Sequence, residues 1–419
     1  MNAISKVAKT AHYIANSTKL DVITVFLVGI VEYAGVVQED RMGSSHTFAF
    51  AKNGVVMLGA SYQNRRSVNR IMKIFGLGKK QVAARLCSAV KLDTALIGLE
   101  GLYQSPIRII NFHRVLDAHQ LIDYPFNEDM VEVTSEELES RLSYLSNNFD
   151  VIGFDNIIDF VDDKAVLPKK PVLITFDDGY SDNYEVAFPI IKSVDIPVTM
   201  MLATGYIGGE ETFWTDWLAF IIFNIDIEVL VLDELRFILP ANREGRRTTF
   251  YRIINHFKSV SDEKRLQLLD NMKQLYGSLY DELPDDIKAL SRPMNWQQIN
   301  EMSQAGIQFG SHTVNHPFLS KVSRQQLEVE LADSKQVIEK NTGKTVSVLA
   351  YPNGQEEDFN DEVKRVAQSL GYKLGLSYIN GVNDINNFDR YSMKRMHISP
   401  SHDSSTFKMA LAFPIVFSK

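Results

Sequence analysis

Cysteine is almost absent: Cys87 is the sole one in 419 residues. A single thiol cannot close a disulfide within the chain, which fits a reducing compartment and equally fits exported enzymes that carry no disulfides. Long hydrophobic runs are scarce as well. The best candidate, VITVFLVGIVEYAGVV at 22–37, is short for a membrane span and is interrupted by Glu32. As a secretory leader it has a long polar lead-in, Asp21, and no small-x-small cleavage site, so a buried amphipathic helix is expected there. Positive charge is sparse over most of the chain. The first 110 residues hold 14 Lys+Arg against 6 Asp+Glu, leaving 30 against 46 for the rest. An acidic body argues against nucleic acid as a partner. The basic arm is expected either to touch an anionic membrane surface through residues 1–100 or to dock on the acidic body. Within it, NRRSVNRIMKIFGLGKK (64–80) sets Val68, Ile71, Met72 and Phe75 at helical spacing among basic residues. That pattern reads as an interfacial helix or as the solvated face of a packed one. No internal repeat and no low-complexity tract occurs.

What is present is an ordinary globular composition, 45% hydrophobic and 23% charged, ample for a large core. Residues 1–104 lack strand–helix alternation and are expected to form a helical accessory region. From 105 the pattern changes. Short apolar runs at IRIINFH (107–113), VIGF (151–154), PVLITF (171–176), PVTMMLA (197–203), IQFGSH (307–312), SVLAYP (347–352) and LGLS (374–377) alternate with helical stretches. These include 135–149, with Ser135 as the expected N-cap, 182–194, 296–306 and 324–343. A mostly helical insertion is expected at about 216–292. Such alternation predicts parallel strands joined by right-handed crossovers, hence an α/β barrel over 105–419. In such barrels chemistry sits where strands end.

The strand ends collect polar residues. TFDDGYSDN carries Asp177 and Asp178, SHTVNHP carries His312 and His316, AYPNG carries Asn353, and KRMHIS carries His397. Two imidazoles four residues apart plus a strand-end carboxylate form a two-His, one-carboxylate metal set with open positions. HxxxH alone more often occurs by chance in a helix; beside Asp-Asp the metal reading overtakes it. A bound cation offsets the repulsion of adjacent carboxylates and lowers the pKa of its water towards ~7, and the second carboxylate can take that water's proton. His397 would protonate the leaving group. Gly179 and Asp182 are expected to shape the turn and cap the next helix. Tyr180 lines the cleft or packs in the core, and Trp214, Trp217 and Trp296 likewise face the cleft or fill the core. His113 ends the first strand and can face the pocket. His12, His46, His119, His256 and His402 fit no constellation.

Together, TFDDGYSDN, SHTVNHPFLS and AYPNG closely resemble the successive motifs of polysaccharide deacetylases, the NodB-homology members of carbohydrate esterase family 4. NFHRV (111–115) resembles that family's first strand, and FWTDWL (213–218) and MNWQQINEM (294–302) resemble exopolysaccharide-type members. The likeness covers about 105–400. It implies a distorted (β/α)7 barrel that removes N-acetyl groups from a sugar. It further implies Asp177 as base, Asp178, His312 and His316 as ligands of one divalent metal, the backbone N–H of Asn353 beside the oxyanion, and His397 as general acid. Tyr180, His113, Tyr351, Pro352, Trp214 and Arg395 are the residues expected to face substrate. Two departures stand out. Ala350 occupies the place of an Arg that orients the base in many relatives, a charge that Arg395 is a candidate to supply. The fourth motif, an Asp-Trp pair, has no counterpart.

The expectation is therefore a metal-dependent N-deacetylase, with Zn2+ preferred over Co2+, Ni2+ or Fe2+. Its substrate is a polymeric or lipid-linked N-acetylhexosamine glycan, and it is cytoplasmic or peripheral to the inner membrane. An uncleaved N-terminal anchor would instead place the barrel outside. The rival readings are an O-deacetylase, an iron-dependent oxygenase, and a glycan-binding assembly protein that keeps the fold without turnover.

Overall fold

The computed structural model describes residues 47–51, 54–58, 81, 84–85, 87–88, 92–100, 105–397, 399 and 402–414. The stretches 22–37 and 64–80 lie outside the described residues. Two compact units divide after residue 97, with residues 402–417 joining the first unit rather than the second. In the first unit Thr47–Ala51 and Gly54–Leu58 pair antiparallel, with Thr47 opposite Leu58. Strand pairing here departs from the all-helical expectation; an Asn-Gly pair, a strong hairpin signal, stands at 53–54. Helix Ser404–Ala412 is capped by Asp403, which accepts from the Thr406 N–H at 2.8 Å and pairs with Arg85 at 2.6 Å.

The second unit is a closed parallel barrel. Its strands are β1 (Arg108–Phe112), β2 (Pro171–Phe176), β3 (Thr199–Leu202), β4 (Gln308–Ser311), β5 (Val348–Ala350), β6 (Leu374–Asn380) and β7 (Met393–His397). The ring runs β1-β7-β6-β5-β4-β3-β2 and returns to β1. β1 and β2 are buried along their whole length, as strands covered on both faces must be, and both are mostly apolar in sequence. The ring is uneven at β2. One edge of β2 pairs with β1 throughout, from Arg108 opposite Val172 to Phe112 opposite Phe176. The other edge is divided: Asp150–Val151 takes Pro171 and Val172, and β3 takes Thr175 and Phe176. The expected strand at 151–154 is thus a two-residue bridge, because Gly153 already caps the helix Phe154–Val161.

Side chains alternate along a strand, and the inward set changes character with height. Ile109, Leu173, Met201, Val348, Ala350, Leu374, Leu376 and Met393 form one buried cluster. Further along the same faces come Asn111, Thr175, Asp177 and Arg395, all buried. The barrel is apolar below and polar at the C-terminal ends of its strands.

Helix α1 (Ser135–Asn148) begins with a capping box between Thr134 and Glu137, so Thr134 is the cap and Ser135 the first helical residue. Between β3 and β4 the chain inserts α2 (Trp214–Asn224), a hairpin of Val229–Leu232 with Leu235–Ile238, α3 (Arg243–Ser259) and α4 (Asp262–Asp281). The insertion has its own core, including Phe220, Phe250, Phe257 and Leu268. α5 (Trp296–Gln304) leads into β4, and α6 (Arg324–Thr342) returns towards β5. Among the described residues no helix is long and apolar enough to cross a membrane.

Candidate active site

Asp178, His312 and His316 stand just past strand ends, two of them, Asp178 and His316, on backbone that would ordinarily be avoided. Asp178 follows β2 with φ 74°, Thr313 and His316 follow β4 with φ 70° and 53°, and Asn353 follows β5 with φ 58°. Four of the eight non-glycine residues with positive φ among those described lie in these turns, the kind of local strain that persists where surroundings over-determine it. Gly179, at φ 93°, completes the Asp-Asp-Gly turn. A Cβ there would meet Leu202 at 2.9 Å, so no side chain fits.

Asp178, His312 and His316 present ligand atoms that all lie within 4.8 Å of one another. Both His312 Nε2 and His316 Nε2 stand 3.4 Å from Asp178 Oδ1. That oxygen is buried and has no hydrogen-bond partner. His312 Nδ1 lies 2.8 Å from the Ala350 carbonyl, which can only accept, so Nδ1 carries the proton and Nε2 offers its lone pair. Burial holds both histidines below the usual imidazole value, His312 at about 4, so both are neutral as ligands must be. Burial, with Asp177's charge adding to it, pushes Asp178 up to about 7. A buried carboxylate with an orphaned oxygen between two neutral imidazoles fits a divalent cation. The donor set of two nitrogens and one oxygen suits zinc and its first-row neighbours.

The metal loop is held from behind. Glu330 of α6, 1% exposed, accepts the backbone N–H of Val314 at 2.8 Å and of Asn315 at 2.9 Å, and the Asn315 amide at 2.8 Å. On the other side the Trp214 indole N–H donates to the His316 carbonyl at 3.2 Å.

Asp177, 1% exposed, sits in a different environment from its neighbour. Arg395 Nη1 donates to its Oδ1 at 2.8 Å and to Asn111 Oδ1 at 2.6 Å; Asn111 Nδ2 in turn donates to Asp177 Oδ2 at 3.3 Å. Burial opposes the charge on Asp177, but Arg395 foremost, with His113 adding to it, holds it well below the usual carboxylate range. The basic partner thus comes from β7. At β5, Ala350 is packed in the apolar cluster and contributes its carbonyl to His312. Arg395 itself is 1% exposed, so it acts on Asp177 and does not face a substrate.

His113 and His397 differ sharply. His113 Nδ1 lies 2.6 Å from Glu132 Oε1, its backbone N–H donates to Glu132 Oε2 at 2.9 Å, and its Nε2 stands 3.8 Å from Asp177. Burial would lower its pKa, but Glu132 foremost raises it to about 9. It is an imidazolium beside the base. His397, expected as the general acid, is otherwise engaged. Its ring stacks on Tyr378 at 3.7 Å, and Nε2 lies 2.8 Å from the Tyr378 carbonyl, which can only accept the ring proton. Burial, then Arg395, lowers it to about 4. Tyr378 lies within the part of β6 where the register to β7 slips, between Leu376 and Asn380.

Several residues expected to face substrate are core. Tyr180 is 1% exposed, 4.4 Å from Phe213, with the Arg114 guanidinium 4.1 Å over its ring. Tyr351 is fully buried, stacked 4.3 Å from Phe359, its hydroxyl donating to the Tyr391 carbonyl at 2.8 Å. Trp214 is 6% exposed and buttresses the metal loop. Pro352 is buried, and Asn353 beside it has a buried side-chain amide nitrogen without a partner. Asp182 does not cap its helix with its side chain and instead receives Arg114 Nε at 2.9 Å. Glu132 and Glu330 escaped sequence reasoning, since neither belongs to a motif and each reaches the site from a separate element; Asn111, although it opens NFHRV, was not singled out.

A family model described as polysaccharide deacetylase matches residues 164–228 and 242–375. The YxkH protein of Bacillus subtilis (strain 168), itself assigned provisionally as a polysaccharide deacetylase, is 22% identical over 283 residues, 66% of this chain and 69% of that one. A poly-beta-1,6-N-acetyl-D-glucosamine N-deacetylase of Staphylococcus aureus is 32% identical over 109 residues, 24% of this chain and 37% of that protein. Among solved structures, the Streptococcus pyogenes deacetylase PplD, in complex with acetate, aligns at TM-score 0.46 and 20% identity, covering 71% of this chain and 95% of that one. IcaB from Ammonifex degensii aligns at TM-score 0.46 and 18% identity, covering 74% and 98%.

Proposed function

This chain belongs to the polysaccharide deacetylase family, and on that ground we propose that it is a metal-dependent hydrolase. It removes N-acetyl groups from N-acetylhexosamine units of a glycan, for which a β-1,6-linked N-acetylglucosamine polymer is the first substrate to try. One observation carries the reading. A base kept ionised (Asp177 with Arg395) and an acid kept protonated (His113 with Glu132) stand 3.8 Å apart, beside three residues fitted to a cation.

Asp178, His312 and His316 would hold the cation; when bound it would polarise the amide carbonyl and acidify a water. Asp177 takes the proton of the attacking water, and Arg395 and Asn111 keep its carboxylate oriented. The backbone N–H of Asn353 donates to the developing oxyanion. His113 then gives its Nε2 proton to the departing nitrogen as the C–N bond breaks, while Glu132 on Nδ1 steadies the imidazolium. Acetate and a free amine are the products. Arg395 fills the role left open by Ala350, and Glu132 supplies a carboxylate for the acid histidine although the Asp-Trp motif is missing. A non-catalytic glycan binder would need neither.

The test is Asp177→Asn. It should lower acetate release from N-acetylglucosamine oligomers by at least about 10³-fold, as loss of a general base together with its attacking geometry requires, while bound zinc stays at the wild-type level. Undiminished acetate release in this variant would refute the assignment.

A further inference from the structure

Beside the metal loop lies a second concavity, about 380 Å³, between the turn after β3 and helices α2 and α4. Its floor is aromatic, from Tyr206, Trp217 and Tyr280. Trp217 is 5% exposed, and its indole N–H has no partner among the described residues. The charges around it are unbalanced: Glu210, Glu211 and Asp281 against Lys273. All four are exposed, so they form the rim. The wall nearest the catalytic centre is shared with it. Trp214 lines the cavity and donates to the His316 carbonyl at 3.2 Å. Thr204 and Gly205, in the turn leading into the cavity, donate to the carbonyls of Thr313 and Val314 at 3.0 and 2.8 Å.

We propose that this cavity is a glycan subsite for a hexosamine unit that has already lost its acetyl group. The inference rests on the deacetylase reading, which makes an amine the product of the neighbouring centre. Aromatic faces stack on the apolar face of a sugar ring, and an indole N–H without a protein partner is free to donate to a polar ligand. Three carboxylates against one ammonium favour a cation, and a glucosamine unit carries one where N-acetylglucosamine is neutral. A chain whose free amine occupies this subsite offers its next unit to the metal loop. Deacetylation next to a free amine should therefore outpace deacetylation at random.

The experiment measures binding of a fully deacetylated β-1,6-linked glucosamine pentamer and of its fully acetylated counterpart to the full-length protein, at low and high salt. The glucosamine pentamer should bind more tightly than the acetylated one, and salt should weaken it. The Glu210→Gln/Glu211→Gln double variant should lose about tenfold in affinity for it, while releasing acetate from a single N-acetylglucosamine unit at the wild-type rate. Trp217→Phe, which keeps the ring and removes the N–H, should weaken binding in the same direction. Unchanged affinity in the double variant, or no binding of the glucosamine pentamer by wild type, overturns the subsite even if acetate is released normally. Loss of binding in the variants of a protein that releases no acetate would instead sink the deacetylase reading and leave an amino-sugar site.

Discussion

At the scale of single residues, the proposed acid–base pair is set by two buried ion pairs, Arg395 with Asp177 and Glu132 with His113. Arg395 and Asp177 are each about 1% exposed, so removing one partner leaves an uncompensated charge. Arg395→Met should cost roughly 3–5 kcal/mol of stability. Asp177 would then titrate nearer the ordinary carboxylate range. Denaturant titration checks the first effect, and an acid limb of kcat/KM moved to higher pH checks the second. On the alkaline side the group is His113. Its value is raised to about 9 by Glu132, so it is protonated below that pH and the acid function is lost as pH rises through it. Without the carboxylate, burial would dominate and lower the value. Glu132→Gln should therefore move the alkaline limb of kcat/KM to lower pH; an unmoved limb would remove Glu132 from the mechanism. In parallel, His113→Ala should reduce kcat about 10²–10⁴-fold, the usual worth of a positioned general acid, and His397→Ala far less. The cluster of Asp178, His312 and His316, with Asp177 beside it, was legible in sequence because adjacent motifs place it. The proposed acid role of His113 was not. NFHRV marks His113 only as the end of the first strand, and its partner Glu132 becomes visible only when the folded chain brings residues 113 and 132 together.

At the scale of elements, the alternation of apolar runs with helices made the barrel readable from 105 onward, and helix ends matched where caps were strong. Irregularity was hidden. The divided edge of β2 and the bulge in β6 leave no compositional trace, because each is a matter of register between strands. His397 meets Tyr378 within that irregular stretch of β6. The metal loop shows how an element can be tuned from outside itself. Glu330 of α6 takes two backbone N–H groups of a turn that also contains the left-handed residues Thr313 and His316. Its replacement by Ala leaves those donors unpaired. Zinc affinity should fall about 10–100-fold, as with other residues that orient ligands without touching the ion. Titration against a competing zinc chelator measures it, and an unchanged zinc affinity would mean the loop holds its shape alone.

At the scale of the whole molecule, the polar end of the barrel sets charged groups over an apolar core, and a cation held there would serve stability as well as chemistry. Binding to the folded state alone should add about 2.7 kcal/mol at a metal concentration a hundred times Kd. Thermal unfolding of the chelated protein should accordingly begin at lower temperature, with zinc reversing the shift. The most direct measurement of the central claim is acetate released from N-acetylglucosamine oligomers by the intact protein, before chelation, after chelation, and after zinc is returned. Acetate that vanishes with the metal and reappears with it is the predicted result. Acetate that persists in chelated protein shown by elemental analysis to be metal-free would contradict the account.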